Sequence, residues 1–190
     1  EETTKAKPKT KFFGKKQVRF LNATIPLVGE IQKLSQDGIQ YDLPDAVADE
    51  AGHTLIAHLT WDGKKDRLVL LRETTAGLKR KDGLVAEGVL HQPAIAIDEK
   101  ETVWVFWAET SEDSTVNLKG RPWTERNGLG KTITLADSDA AEAFVDAGTD
   151  SKGRVWITWQ SLRAGEADVF ARYFDNQKGK WSKELAVSDA

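Results

Sequence analysis

Cysteine and methionine are both absent from these 190 residues. Without cysteine there is no disulfide framework, thiolate zinc site, iron–sulfur cluster or cysteine nucleophile. A chain with no methionine, even at position 1, is expected to start at a processed end, as removal of a secretory signal leaves it. No apolar run approaches the ~18 residues that a membrane-spanning helix requires, which excludes a helical integral membrane protein. The three histidines, His53, His58 and His91, do not have zinc-motif spacing, and no cofactor or metal is called for. What remains is 39% hydrophobic and 30% charged, enough to bury a core. At 21.1 kDa it is one domain or one piece of a larger one.

The charge is uneven. The net value is −3, yet residues 1–20 carry seven cations (Lys5, Lys7, Lys9, Lys11, Lys15, Lys16 and Arg19) against Glu1 and Glu2. Residues 1–16 read as a solvated basic tail on an acidic body. Apart from Phe20 at the end of this stretch, Phe12 and Phe13 are the only aromatics near those cations, so the interleaving needed for base stacking is missing and nucleic acid is not an expected partner.

The dominant feature is an internal repeat of about fifty residues. Pro44-Asp-Ala-Val-Ala-Asp49 is followed by four residues and Thr54-Leu-Ile-Ala-His58. Pro93-Ala-Ile-Ala-Ile-Asp98 is followed by four residues and Val103-Trp-Val-Phe-Trp107. Val145-Asp-Ala-Gly-Thr-Asp150 is followed by four residues and Val155-Trp-Ile-Thr-Trp159. The aspartates lie 49 and 52 residues apart, each with the same connection after it. Each unit reads as strand, tight turn, strand: aspartate bonds back to nearby backbone, and glycine takes the positive φ that the turn needs. The second unit has Glu101 where the others have Gly52 and Gly153, so its turn is expected to differ. Residues 103–107 are apolar without alternation, as in a strand buried on both faces.

A third strand (68–71, 116–118, 169–173) and a fourth (84–89, 132–135, 181–187) follow in each unit. Four antiparallel strands per repeat, with Trp in the second, is the pattern of a β-propeller blade. The sequence therefore predicts an all-β fold with blades at 41–90, 91–140 and 141–190. Residues 17–24 and 29–35 are expected as two outer strands of a half-blade over 17–40. Three and a half blades form an incomplete ring, because about four to eight are needed to close one.

The run Asp150-Ser-Lys-Gly-Arg-Val-Trp-Ile-Thr-Trp159 resembles the repeat of bacterial extracytoplasmic β-propellers, the broad group of TolB-like, sialidase-like and sensor-type blades. The likeness covers about residues 41–190, and it specifies the blade and not an activity. It departs from the sialidase Asp-box, which has one residue between Asp and Gly where this chain has two, so no sialidase catalytic residue carries over. The resemblance implies a secreted or periplasmic location.

In such a blade the start of the inner strand and the end of the second strand share one rim. That places Tyr41, Asp42, residues 58–62, His91, Gln92, Trp107, Glu109, residues 139–142 and residues 159–163 around a central funnel. The candidate ligand-binding residues are His58, His91, Trp107, Glu109, Trp159, Gln160 and Arg163, because rings stack on apolar faces while polar groups fix orientation. A packing role between blades competes for Trp107 and Trp159, which hold equivalent positions, and His58 replaces Trp at that same position. Glu109 with Asp139 or Glu142 could form the carboxylate pair of a glycosidase. Two functions follow. One is a non-catalytic binding and assembly module, part of a larger propeller completed by a second polypeptide or a cleaved C-terminal remainder, with a glycan or peptide as ligand. The other is a carbohydrate-active hydrolase or lyase with its site in the funnel.

Overall fold

The computed structural model describes residues 17–20, 23–26, 39–74 and 77–188. The chain divides into two units, Glu1–Ser35 and Gln36–Ala190. In the first, β1 (Gln17–Phe20) pairs antiparallel with β2 (Ala23–Pro26). The single strand expected over 17–24 is thus split between the two strands of a hairpin, with Gln17 opposite Pro26 and Phe20 opposite Ala23. The second expected strand, 29–35, and the basic tail lie outside the described residues.

Among its described residues the second unit is all-β apart from one 3-10 turn at Arg163–Gly165. Its first repeat is a meander of β3 (Gln40–Ala48), β4 (Thr54–Trp61), β5 (Asp66–Thr74) and β6 (Gly77–Leu90). The second comprises β7 (Ala94–Ile97), β8 (Val103–Thr110), β9 (Val116–Thr124), the short β10 (Gly128–Leu129) and β11 (Ile133–Ala136). The third comprises β12 (Glu142–Thr149), β13 (Val155–Ser161), β14 (Asp168–Asp175), β15 (Lys180–Trp181) and β16 (Leu185–Ala186). The fourth strand expected there as one piece is two, and both pair with β14. All pairings are antiparallel, and no described helix is long and apolar enough to cross a membrane.

The turn aspartates hold the hairpins. Asp98 Oδ1 accepts the amides of Lys100 and Thr102 at 2.8 and 2.9 Å, and Asp150 Oδ1 those of Lys152 and Arg154 at 2.9 and 3.0 Å. The second oxygen reaches the indole six residues on: Trp104 Nε1 at 3.4 Å and Trp156 Nε1 at 2.9 Å. In the first repeat that position is Leu55, so Asp49 Oδ2 instead accepts Arg72 Nη2 at 3.1 Å and His53 Nδ1 at 3.0 Å. The turn at Glu101 does not differ from the others. Glu101 takes φ +58° beside +81° at Gly52 and +70° at Gly153, and each amide donates to its aspartate carbonyl. The two flanking strands and the aspartate hold the backbone there despite the Cβ.

Two cores form between the repeats. Leu55, Ala57, Leu59, Leu68 and Leu70 of the first pack with Val103, Val105, Trp107 and Trp123 of the second. Trp104, Phe106 and Leu118 of the second pack with Val155, Ile157 and Trp159 of the third. Strand β8 therefore sends alternate side chains into different cores, which is why its apolar run is unbroken. Trp107 and Trp159, each 1% exposed, bury the largest apolar surfaces in them.

Candidate functional site

A bulge interrupts the first strand of the first and third repeats, and a break of the same length precedes that of the second. Asp42 pairs with Leu59 but Asp45 with Ala57, so three steps on β3 match two on β4. Ala143 and Asp146 repeat this against Gln160 and Thr158. In the second repeat the His91 amide meets the Ala108 carbonyl, and Ala94 then pairs with Phe106. The extra residue re-aims the chain at one level of the fold. The two bulges place large apolar residues in the left-handed region, Leu43 at φ +47° and Phe144 at φ +53°. Leu43 is 41% exposed and Phe144 69%.

The bulges converge on one pocket of about 630 Å³. It is lined by the same two positions of all three repeats, seven and six residues before the turn aspartate: Asp42 and Leu43, His91 and Gln92, Ala143 and Phe144. Gln40, Thr60, Trp61 and Asp66 complete its first-repeat wall. Trp61 ends β4 with 46% of its surface exposed. Asp42 Oδ1 accepts the Leu43 amide at 2.8 Å, which fixes the carboxylate beside the bulge. Asp66 Oδ2 accepts the Leu90 amide at 3.2 Å, and His91 Nε2 lies 2.8 Å from Thr110 Oγ1. Among the described residues no lysine or arginine lines the pocket. A second hollow of 290 Å³ shares Leu43 and Gln92 with it and continues along the inner strands past Asp45, Pro93 and Asp146.

Of the seven candidate ligand-binding residues, the structure brings His91 alone into this pocket. Trp107 Nε1 donates to Glu109 Oε2 at 2.9 Å, and Glu109 Oε1 accepts Lys119 Nζ at 2.9 Å. Trp159 Nε1 donates to Glu142 Oε2 at 2.6 Å, and Arg163 Nη2 reaches Glu142 Oε1 at 3.0 Å. Glu142 is fully buried, and Ser138 also donates to it. These carboxylates satisfy buried indoles at the inter-repeat cores. Gln160 is half-buried on β13, opposite Ala143. His58 is buried and lies against Tyr41, ring centroids 5.4 Å apart. Among the described residues no three His, Asp or Glu side chains are grouped to hold a metal ion.

Sequence reasoning found Asp42, Trp61, His91 and Gln92 at the rim and missed Leu43 and Phe144. Their signal was the repeat offset itself, since both stand six residues before an aspartate, as Gln92 does.

The carboxyls of Asp49, Asp113 and Asp150 are held below their usual range. Burial pushes the Asp150 carboxyl up, but the Trp156 indole, the Arg154 guanidinium and two backbone amides outweigh it and hold the group far below its usual range. Asp49 behaves alike: burial raises it, and the His53 amide with Arg72 and the His53 ring lowers it further. Asp113, bonded by the hydroxyls of Ser111 and Thr115, is lowered to about 2.

No family model matches this chain, and no curated protein matches it by sequence. Among solved structures it is similar to a fucose lectin from Kordia zhangzhouensis in complex with methyl-fucoside, at 11% identity and a TM-score of 0.49. That match covers 77% of this chain and 98% of the lectin. A hypothetical protein from Leishmania major matches at 14% identity and a TM-score of 0.26, covering 80% of this chain and 69% of the other.

Proposed function

We propose that this chain is a non-catalytic binding and assembly module, a run of β-propeller blades that forms part of a larger, secreted or periplasmic propeller. The observation that carries the reading is the convergence of equivalent positions from three repeats on one pocket. Such convergence is what units arranged about a common axis produce, with their inner strands toward it. The resemblance of the repeat to extracytoplasmic blades supports the location.

The third repeat supports the assembly half of the reading. Asp45 Oδ2 accepts the Ile95 amide of the next repeat at 2.8 Å, tying two inner strands together. Asp146 holds the equivalent position in the third repeat, is exposed, and among the described residues bonds only its neighbour's amide, Ala147 N, at 2.8 Å. Leu55 and Trp104, equivalent on the second strands, are covered by the following repeat, while Trp156 is half-buried. A further blade, on a second polypeptide or on a cleaved remainder, would cover Trp156 and offer Asp146 a backbone donor. Glu109 and Glu142, the carboxylates that a hydrolase reading needs, are engaged by Trp107 and Lys119 and by Trp159 and Arg163.

Native mass measurement on protein purified from its own source tests this. A stable assembly larger than the 21.1 kDa chain is the expected result, and a lone monomer of that mass would overturn it.

A further inference from the structure

We infer that the pocket at the inner-strand bulges binds a neutral saccharide, with Phe144 and Trp61 as stacking platforms and the Asp42 carboxylate and Gln92 amide as hydroxyl partners; this rests on reading the chain as a binding module. The first observation is strain with no structural return. Phe144 combines the left-handed backbone, which a bulky L residue rarely adopts, with 69% exposure. It buries too little to offset that conformation, and glycine would relieve it. Leu43 stands at the same offset in the same conformation. Strained residues held at the rim of a cavity belong to function more readily than to packing.

The second observation is the chemistry of the lining. Trp61 and Phe144 offer large apolar surfaces, 46% and 69% exposed. Asp42 spends one oxygen on the Leu43 amide, and among the described residues its other oxygen accepts no bond. Gln92 is exposed, with no bond to another described side chain. A pyranose has an apolar ring face for the aromatics and an edge of vicinal hydroxyls for a carboxylate and an amide. With Asp42 and Asp66 in the wall and no lysine or arginine among the described lining residues, an anionic ligand would meet repulsion and no counter-charge. The remaining competitor is a quaternary ammonium, which aromatic faces and carboxylates also attract.

Calorimetric titration of the intact protein with neutral methyl hexosides, with glucuronate and with tetramethylammonium separates these classes. A neutral methyl glycoside should bind, and glucuronate more weakly by about tenfold or more. Trp61→Ala and Phe144→Ala should each lower that affinity by about tenfold, the loss of one stacking face. Phe144→Gly is the sharper variant: it should raise Tm by about 2–4 °C through relief of strain while losing the same affinity. Binding of tetramethylammonium alone, no binding of any neutral glycoside, or a Phe144→Gly protein that keeps full affinity would each overturn the inference. A large native assembly that binds no glycoside would sink the ligand and leave the module standing. A 21.1 kDa monomer that does bind would sink the assembly and leave the pocket.

Discussion

Trp104 and Trp156 occupy the same position in consecutive repeats, six residues after the turn aspartate, and each donates its indole N–H to that aspartate. They differ in what lies over them. Trp104 is 6% exposed, packed edge-on against Trp181 at 5.4 Å and against Phe174 at 4.9 Å. Trp156 is half-buried, with Tyr173 at 4.8 Å on its own sheet and the Arg154 guanidinium 5.4 Å from its ring. One residue type at one repeat position is thus a core residue in one unit and a surface platform in the next. Burial here is decided by the neighbouring repeat and not by the strand that carries the side chain. The partners confirm the direction: Phe106 and Ala108 continue the Trp104 face inside a core, where Thr158 and Gln160 continue the Trp156 face.

Substitution of the two indoles is the largest test. Trp104→Ala should cost about 3–5 kcal/mol in urea unfolding, the usual loss for a buried Trp with a cavity left behind. Trp156→Ala should cost about half as much, since part of its surface already meets water. Equal losses would show that Trp156 is covered in solution, as docking of a further blade would make it.

A glycine pair isolates the contact between repeats. Gly52 and Gly153 sit at the same turn position with φ +81° and +70°, so alanine strains both by about 1 kcal/mol. A Cβ at Gly52 meets nothing within 4 Å, whereas at Gly153 it would stand 2.3 Å from Glu99 Cβ of the preceding repeat. Glu99 also donates its amide to the Gly153 carbonyl at 3.1 Å. Gly153→Ala should therefore cost about 1–3 kcal/mol beyond Gly52→Ala through overpacking. Equal melting shifts would mean that the second and third repeats are not seated on each other at this turn.

Acid titration compares the turns by charge. The unfolded Asp150 carboxyl titrates near 3.8 and the folded one far below it. Between those two values the unfolded chain binds a proton that the folded chain does not, so stability falls as pH drops below about 4. Asp150→Asn keeps an oxygen for the turn amides but loses the charge, so it should cost about 1–2 kcal/mol at neutral pH. The same variant should flatten the acid limb. An unchanged limb in denaturation series from pH 6 to pH 2 would place the acid sensitivity elsewhere.

How much of this was legible in the sequence depends on what each feature is made of. Strand pairing within the repeats was readable, because β-branched and aromatic runs separated by Asp-x-x-Gly admit few other registers. The rim was half readable: Asp42, Trp61, His91 and Gln92 follow from where strands begin and end. Leu43 and Phe144 could be found only from their repeat offset, since a bulge is a mismatch of three residues against two across a ladder and leaves no mark on hydrophobic alternation. The roles of Trp107 and Trp159 turned on side-chain partners, Glu109 and Glu142, that come from different places in their repeats. One carboxylate sits two residues along the same strand, and the other seventeen residues back on the inner strand. Equivalent tryptophans solved the same problem with non-equivalent acids, which no repeat alignment displays.

The smallest effect comes from the middle turn, where the second repeat departs from its neighbours. Glu101 adopts φ +58° at the position that glycine fills in the other two, and its amide still donates to the Asp98 carbonyl at 3.0 Å. Its side chain is exposed, so nothing in the packing rewards the strained backbone. Glu101→Gly should thus stabilise the protein by about 0.5–1 kcal/mol, the relief of the left-handed conformation less the extra freedom that glycine gives the unfolded chain. The sign is what decides. A gain shows that Asp98, with its two amide bonds and the Trp104 indole, holds the turn whatever residue occupies position 101. A loss in thermal unfolding would mean that the glutamate side chain itself supports the turn, and the three turns would then be alike in shape but not in cause.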